Sequence, residues 1–205
     1  MHFVSESAVS GDAESGREAR RYANARRLTL CAQSLTDERG LDGFTMDELA
    51  DAAGVSRRTL FNYFPSKDDA VLGPFPLVDS ECIQEFRAGG PTGDLIDDLA
   101  IVMDQLLRAK DVSREQIVLG QRVLESNPKL MALAHKRFHA VAEEFIAEIE
   151  VREGKAFDPI RAKVAITLLA ALFAQTLDAY ISDERGRALA DLYAIALRHA
   201  KELLA

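Results

Sequence analysis

The sequence predicts an all-α protein. Apolar residues recur at three- and four-residue intervals, and no segment of useful length alternates apolar with polar residues as a strand does. Helix-start signals, a Ser, Thr, Asp or Asn closely followed by Glu, Gln or Pro, recur along the chain. Composition agrees: 48% of the 205 residues are hydrophobic, enough for a real core, Trp is absent and Pro is scarce. Ala, Leu, Glu, Asp and Arg dominate, which favours helices over sheets.

Residues 1–16, MHFVSESAVSGDAESG, lack periodicity and predict a flexible tail. A first helix is expected from Arg17, because Leu28, Cys31, Ala32 and Leu35 fall on one helical face. Gly40 suits the left-handed position that ends it. Thr45-Met46-Asp47-Glu48 fits a capping box, and Met46, Leu49, Ala50 and Ala53 form a short apolar stripe behind it. Gly54 tolerates the positive φ of a tight interhelical turn, and Val55 can plug the corner. Ser56 is a good N-cap for a helix from Arg57 to Phe64, which Pro65 halts. In that helix Leu60, Phe61 and Phe64 are expected on the inner side, with Arg58, Asn62, Thr59 and Tyr63 facing away.

Ser66 with Asp69 opens a fourth helix, broken at Gly73-Pro74-Phe75-Pro76 and resuming from Leu77 to Arg87. After the break at Gly89-Gly90-Pro91, caps and periodicity place helices at 93–110, 114–126, 128–152, 159–181 and 184–204. Val164 to Ala174 is the most apolar stretch. At eleven residues it is short of the ~20 that span a bilayer, so it predicts a buried core helix. It is apolar all round, so one of its faces needs cover from outside the subunit. With a stripe of Leu189, Leu192, Tyr193, Ala196 and Leu203 on the last helix, this predicts a homodimer through the last two helices.

The net charge of -8 excludes a surface that coats nucleic acid everywhere. The charge is uneven, however: residues 17–67 sum to +2 and residues 68–205 to -7. A mildly basic module on an acidic body suits local contact with DNA. Cys31 and Cys82 match no metal or redox spacing, which predicts a reducing, cytoplasmic setting. The N-terminus has no secretory pattern.

The chemistry concentrates at residues 45–67. Two short helices with a Gly-containing turn, the second bearing Arg57, Arg58, Thr59, Asn62 and Tyr63, suit insertion into a major groove. There Arg can bond guanine, Asn adenine, and hydroxyls phosphate. Lys67 could clamp a phosphate, and Arg20, Arg21, Arg26 and Arg27 make a basic cluster that could track the backbone. Spacing alone leaves open a plain packing corner, since such shapes occur widely.

The run Gly43-Phe44-Thr45-Met46-Asp47-Glu48-Leu49-Ala50, then Ala53-Gly54-Val55-Ser56, Thr59-Leu60-Phe61-Asn62-Tyr63-Phe64 and Ser66-Lys67 resembles the DNA-binding domain of TetR-type regulators. The resemblance covers roughly residues 17–72. It implies an N-terminal three-helix helix-turn-helix domain at 17–66 and a helical ligand-binding and dimerisation domain at 67–205. It further implies a homodimer on a near-palindromic operator, usually a repressor released by a small molecule. Carried over residue by residue, it suggests DNA contacts from Thr45, Ser56, Arg57, Arg58, Asn62, Tyr63 and Lys67. Phe61 stands where the family often has Tyr. The C-terminal two thirds bears a fainter resemblance to the actinobacterial subgroup that includes the mycofactocin-type regulators.

The resemblance also implies a cavity for a largely apolar ligand. Candidate lining residues are Phe86, Leu99, Met103, Leu106, Leu119, Phe138, Phe145 and Phe173, with Gln175, Thr176 and Asp178 to fix a polar group; the same side chains could simply fill a core. Other functions are weaker fits. His135, His139 and Glu143 share a helix face but lie beside Lys136 and Arg137, which repel a cation, so no metal or other cofactor is expected. Gly89-Gly90-Pro91-Thr92-Gly93 lacks the Lys-Ser/Thr of a phosphate loop and follows no strand, and no catalytic motif is present. An interaction scaffold that kept the helix-turn-helix shape without DNA contact is the remaining alternative.

Overall fold

The computed structural model describes residues 11–75, 78–108, 113–154 and 156–204. Among them are ten helices and no strand: α1 (Gly11–Arg39), α2 (Met46–Ala52), α3 (Arg57–Tyr63), α4 (Lys67–Leu72), α5 (Ser80–Arg87), α6 (Leu95–Arg108), α7 (Arg114–Glu125), α8 (Pro128–Glu153), α9 (Pro159–Ser182) and α10 (Leu189–Leu204). The all-α expectation holds, and most caps fall where the sequence puts them. Ser56, Ser66, Ser113 and Asp158 each accept a backbone N–H from the first turn that follows.

Three boundaries differ from expectation by more than two residues. Residues 11–16, expected in the tail, are helical; residues 1–10 lie outside the described residues. Extending an existing helix gains one hydrogen bond per residue fixed, without the cost of a new nucleus. The α10 helix begins at Leu189 rather than 184, because Gly186 takes φ +68° and Asp183 accepts the backbone N–H of Arg187 at 2.9 Å, closing a turn there. The break after α4 is real, while the expected restart at Leu77 falls outside the described residues, and α5 opens at Ser80 on an Asp79 cap. Gly73 ends α4 at φ 75°, ψ -178°, a region essentially reserved for glycine. A Cβ there would lie 2.8 Å from Thr29 Cγ2 of α1, so only glycine allows this approach of the two helices.

The chain forms two compact units. One contains α1 to α4, α7 and α8 as far as Arg137. Its core is one face of α1 (Ala25, Leu28, Ala32, Leu35) with Leu49, Leu60, Phe64, Ala70, Val71, Val123 and Leu130. The core that holds the helix-turn-helix therefore extends past residue 66 into α4, α7 and α8. Charged pairs border it: Arg122 donates twice to the Asp37 carboxylate (2.7 and 2.6 Å), and Lys129 pairs with Asp68 at 2.7 Å.

The other unit contains α5, α6, α8 from Phe138, α9 and α10, around Cys82, Ile83, Phe86, Leu99, Val102, Ile149, Leu169, Tyr193 and Leu197. At its polar centre the side chains of Arg152 and Asp98 are 2% and 0% exposed and 2.6 Å apart. Asp98 also accepts the Thr92 N–H and hydroxyl, each at 2.7 Å, and the Gly93 N–H at 3.3 Å. Arg152 donates to the Phe86 carbonyl at 3.1 Å and lies over the Phe86 ring. In the glycine-rich turn the Thr92 and Gly93 N–H groups are thus occupied by a carboxylate of the chain itself, and those of Gly89 and Gly90 by the Phe86 and Glu85 carbonyls.

The α9 helix departs from the expected buried core helix. Ala162, Ala165, Leu169 and Thr176 face inward, but Ile160 and Val164 are 68% and 58% exposed, and Thr167, Ala171 and Ala174 continue that outer stripe. The complete helix, at 24 residues, is long and apolar enough by length and composition to cross a membrane, although the Val164–Ala174 run alone is not. On α10, Leu192, Tyr193 and Leu197 are buried within the unit, and Leu203 and Leu204 are exposed.

Burial pushes the Asp98 carboxyl up, but the Thr92 hydroxyl and N–H and the Arg152 guanidinium outweigh it and hold the group below its ordinary value. Its contribution to stability is therefore complete above the ordinary carboxylate range and is lost as pH falls through the depressed value. Asp98→Asn removes the fully buried partner of Arg152, leaves it only the partly exposed Glu153 carboxylate at 2.8 Å, and is expected to cost up to about 3–5 kcal/mol in urea unfolding at pH 7. The difference from the parent protein should shrink as the pH is lowered.

Candidate nucleic-acid interface

The α2–α3 corner is built from caps and three buried anchors. Leu49, Leu60 and Phe64 are sealed in the core, Val55 packs half-buried at the turn, and Gly54 supplies φ +65°. Thr45 caps α2 reciprocally with Glu48: the Glu48 N–H donates to Thr45 Oγ1 at 3.2 Å, and the Thr45 N–H donates to Glu48 Oε2 at 2.7 Å. That N–H, with the Thr45 hydroxyl, holds the Glu48 carboxyl below its ordinary value.

With Leu60 and Phe64 directed inward, α3 presents one continuous outer face of Arg57, Arg58, Phe61 and Asn62, all exposed. Phe61 is a correction to the expected inner side. One position after Leu60 is about 100° around the helix, and the ring is 40% exposed. Thr59 and Tyr63 are also displaced from expectation. Both are half-buried; the Thr59 hydroxyl is 2.7 Å from Ser56 Oγ, and Tyr63 packs against the core.

Arg57 is fixed from two sides, by Asp47 of α2 at 3.1 Å and by the Phe61 ring at 5.4 Å from the guanidinium carbon. The pair is 68% and 58% exposed, and such pairs contribute about 0–1 kcal/mol, enough to orient the fork without withholding it from a better partner. Lys67 Nζ donates to the Phe44 carbonyl at 2.7 Å and lies 4.8 Å from the Phe44 ring centre, so its ammonium is held in one place beside α2.

The basic cluster of α1 divides in two. Arg27 donates to the Ala53 carbonyl at 2.8 Å and Arg26 to Gln116 at 3.4 Å, which makes both parts of the scaffold. Arg21 instead reaches α3, donating to the Asn62 carbonyl at 3.3 Å and lying 5.7 Å over the Tyr63 ring, and Arg20 is exposed. Its place at α3 was not legible from spacing, because 41 residues separate Arg21 from Asn62.

The expected ligand residues are less of a group. Phe86, Leu99 and Leu106 are buried in the α5–α6–α9–α10 core, and Met103, Phe145 and Phe173 are packed against it half-buried. Leu119 belongs to the other core, beside α1, and Phe138 is 43% exposed. Gln175 and Asp178 lie outward on α9, while Thr176 is buried with its hydroxyl donating to the Leu172 carbonyl at 2.7 Å. His135, His139 and Glu143 are all exposed on α8.

Residues 32–72 match the family described as bacterial regulatory proteins, tetR family. The chain is 25% identical over 138 residues to the nucleoid occlusion factor SlmA of Haemophilus influenzae (strain PittGG), covering 64% of this chain and 63% of that protein. It thus spans somewhat less than two thirds of that relative. Against SlmA of Vibrio vulnificus (strain YJ016) it is 22% identical, covering 77% of this chain and 83% of the other. Among solved structures, a TetR-family transcriptional regulator of Mesorhizobium loti has a TM-score of 0.48 at 16% identity, over 86% of this chain and 93% of that one. None of these names the mycofactocin-type subgroup, and none names an enzyme.

Because the Thr45 side chain closes the first turn of the seven-residue α2, Thr45→Ala should cost about 1 kcal/mol of stability. Thermal unfolding by circular dichroism reads this, and Thr45→Ser should restore most of it.

Proposed function

We propose, from the match of residues 32–72 to the tetR family of bacterial regulatory proteins, that the chain is a DNA-binding, ligand-responsive transcriptional regulator that inserts α3 into the major groove. The carrying observation is the outer face of α3, where Arg57, Arg58 and Asn62 stand exposed on a helix whose other side is locked into the core. Arg58 and Arg57 serve guanine edges and Asn62 adenine. Lys67, Thr45, Ser56, Thr59 and Tyr63 flank that face, with Lys67 and Tyr63 assigned to phosphates. The rest of the acidic chain stays away from DNA and keeps it a local contact, in a cytoplasmic protein.

The same reading makes it a homodimer on a near-palindromic operator. Its support is the outer stripe Ile160, Val164, Ala171 and Ala174 on α9, which α10 leaves uncovered. A second copy of the same stripe covers it isologously, and a two-fold protein matches a two-fold site whose half-sites lie roughly 34–36 Å apart. We further propose repression relieved by a small, largely apolar molecule, received beside Met103, Phe145 and Phe173 at the edge of the second core. Such a ligand acts only by preferring the conformer whose recognition helices no longer match the groove spacing.

A gel shift against the protein's own upstream DNA tests the first step. Arg58→Ala should lose about 1–3 kcal/mol at particular base pairs. Lys67→Ala should weaken all sequences alike and reduce the salt slope by roughly 1. Uniform loss for Arg58→Ala would remove its base-reading role.

Light scattering at micromolar concentration should give a dimer mass for the parent chain and a shift to monomer for Val164→Glu. Lipophilic compounds, acyl thioesters included, titrated into the operator complex should release DNA and raise the melting temperature. A monomeric parent, or release by none of them, would overturn the respective part.

A further inference from the structure

The outer face of α3 carries one side chain that neither donates nor accepts a hydrogen bond. Phe61 sits between the exposed Arg57, Arg58 and Asn62 with its ring 40% open to solvent. A lone exposed aromatic means little by itself. This one is built in: the Arg57 guanidinium lies over its ring at 5.4 Å, and Asp47 holds that guanidinium from the opposite helix at 3.1 Å. Carboxylate, guanidinium and ring thus lie in sequence across the α2–α3 corner.

Resting on the proposal that α3 enters the major groove, we infer that Phe61 is a specificity residue that packs on the 5-methyl group of a thymine. The groove floor is almost entirely donors and acceptors, and the thymine methyl is its apolar feature. A phenyl ring gains by covering that methyl and loses by being pressed against an unpaired donor or acceptor, so it favours thymine through both terms. Arg57, one helical turn before Phe61 and stacked on its ring, is placed to reach the neighbouring base pair. Its fork fits guanine N7 and O6, so the pair of side chains reads a short step that includes a thymine and a guanine. Asp47 positions Arg57 and itself reads nothing.

The experiment removes single methyl groups. Each thymine of the operator fragment is replaced in turn by deoxyuridine, which keeps the base pair and every hydrogen-bonding group. Binding is then measured for the parent protein, Phe61→Ala and Phe61→Leu. At one position in each half-site the parent should lose roughly three- to fivefold in affinity, as for one apolar carbon group. Phe61→Ala should show no loss there, and Phe61→Leu an intermediate one. The thymine-to-deoxyuridine ratio should hold as salt is raised, while overall affinity falls. Melting curves confirm that the variants are folded, which the exposure of the ring favours. A parent that binds its operator but is indifferent to every methyl overturns the inference and leaves the DNA-binding reading standing. So does a methyl effect that persists unchanged in Phe61→Ala. Absence of specific binding by the parent to any fragment overturns both.

Discussion

One buried face of α1 is the constraint on which the helix-turn-helix unit depends. Ala25, Leu28, Ala32 and Leu35 give a single surface on which α2, α4 and α7 pack, and α3 joins the same core through α2. Isolated helices of seven, seven and six residues are too short to be stable in water. They persist because Leu49, Leu60, Ala70 and Val71 exchange water for the common core built on that surface, and because each N-cap satisfies a free N–H. The position of Arg58 or Asn62 is therefore a consequence of Leu60 being completely buried on the opposite side of the same helix.

Charge acts through geometry. A chain of net charge -8 is repelled by DNA as a whole, so any attraction must be local and well placed. The structure separates arginines that build from arginines that face out. Arg26, Arg27 and Arg122 spend their donors on the scaffold, whereas Arg57 and Arg58 stand on the outer face of α3. Asp47, an acid beside that face, pairs with Arg57 at 3.1 Å and directs its guanidinium through an exposed contact of about 0–1 kcal/mol.

In the second unit a comparable logic is turned inward. At the end of the Gly89–Gly93 turn Thr92 and Gly93 offer the backbone N–H groups that anion sites use, and the anion they hold is Asp98. Arg152 neutralises that carboxylate and bonds the Phe86 carbonyl, tying the ends of α5 and α6 to α8. A glycine-rich segment that resembles a ligand cradle is thereby accounted for as a structural joint.

Much of this was legible in the sequence because it is local. Capping residues, left-handed glycines and the spacing of apolar residues act within one or two turns, so the all-α fold, the α2–α3 corner and the exposure of Arg58 and Asn62 follow from neighbours in the chain. What the sequence could not settle are properties set by distant partners or by which neighbour fills a core. Phe61 was expected inside on hydrophobicity alone, yet Leu60 and Phe64 already occupy the space beneath α3. Leu119, a ligand candidate by sequence, packs beside α1, and Gln175 and Asp178 turn outward because Thr176 takes the inner position on α9. The apolar run of α9 determined that something must cover it; only the packing of α10 decided which of its faces is left bare, since burial depends on which surfaces meet and periodicity records only that a surface exists.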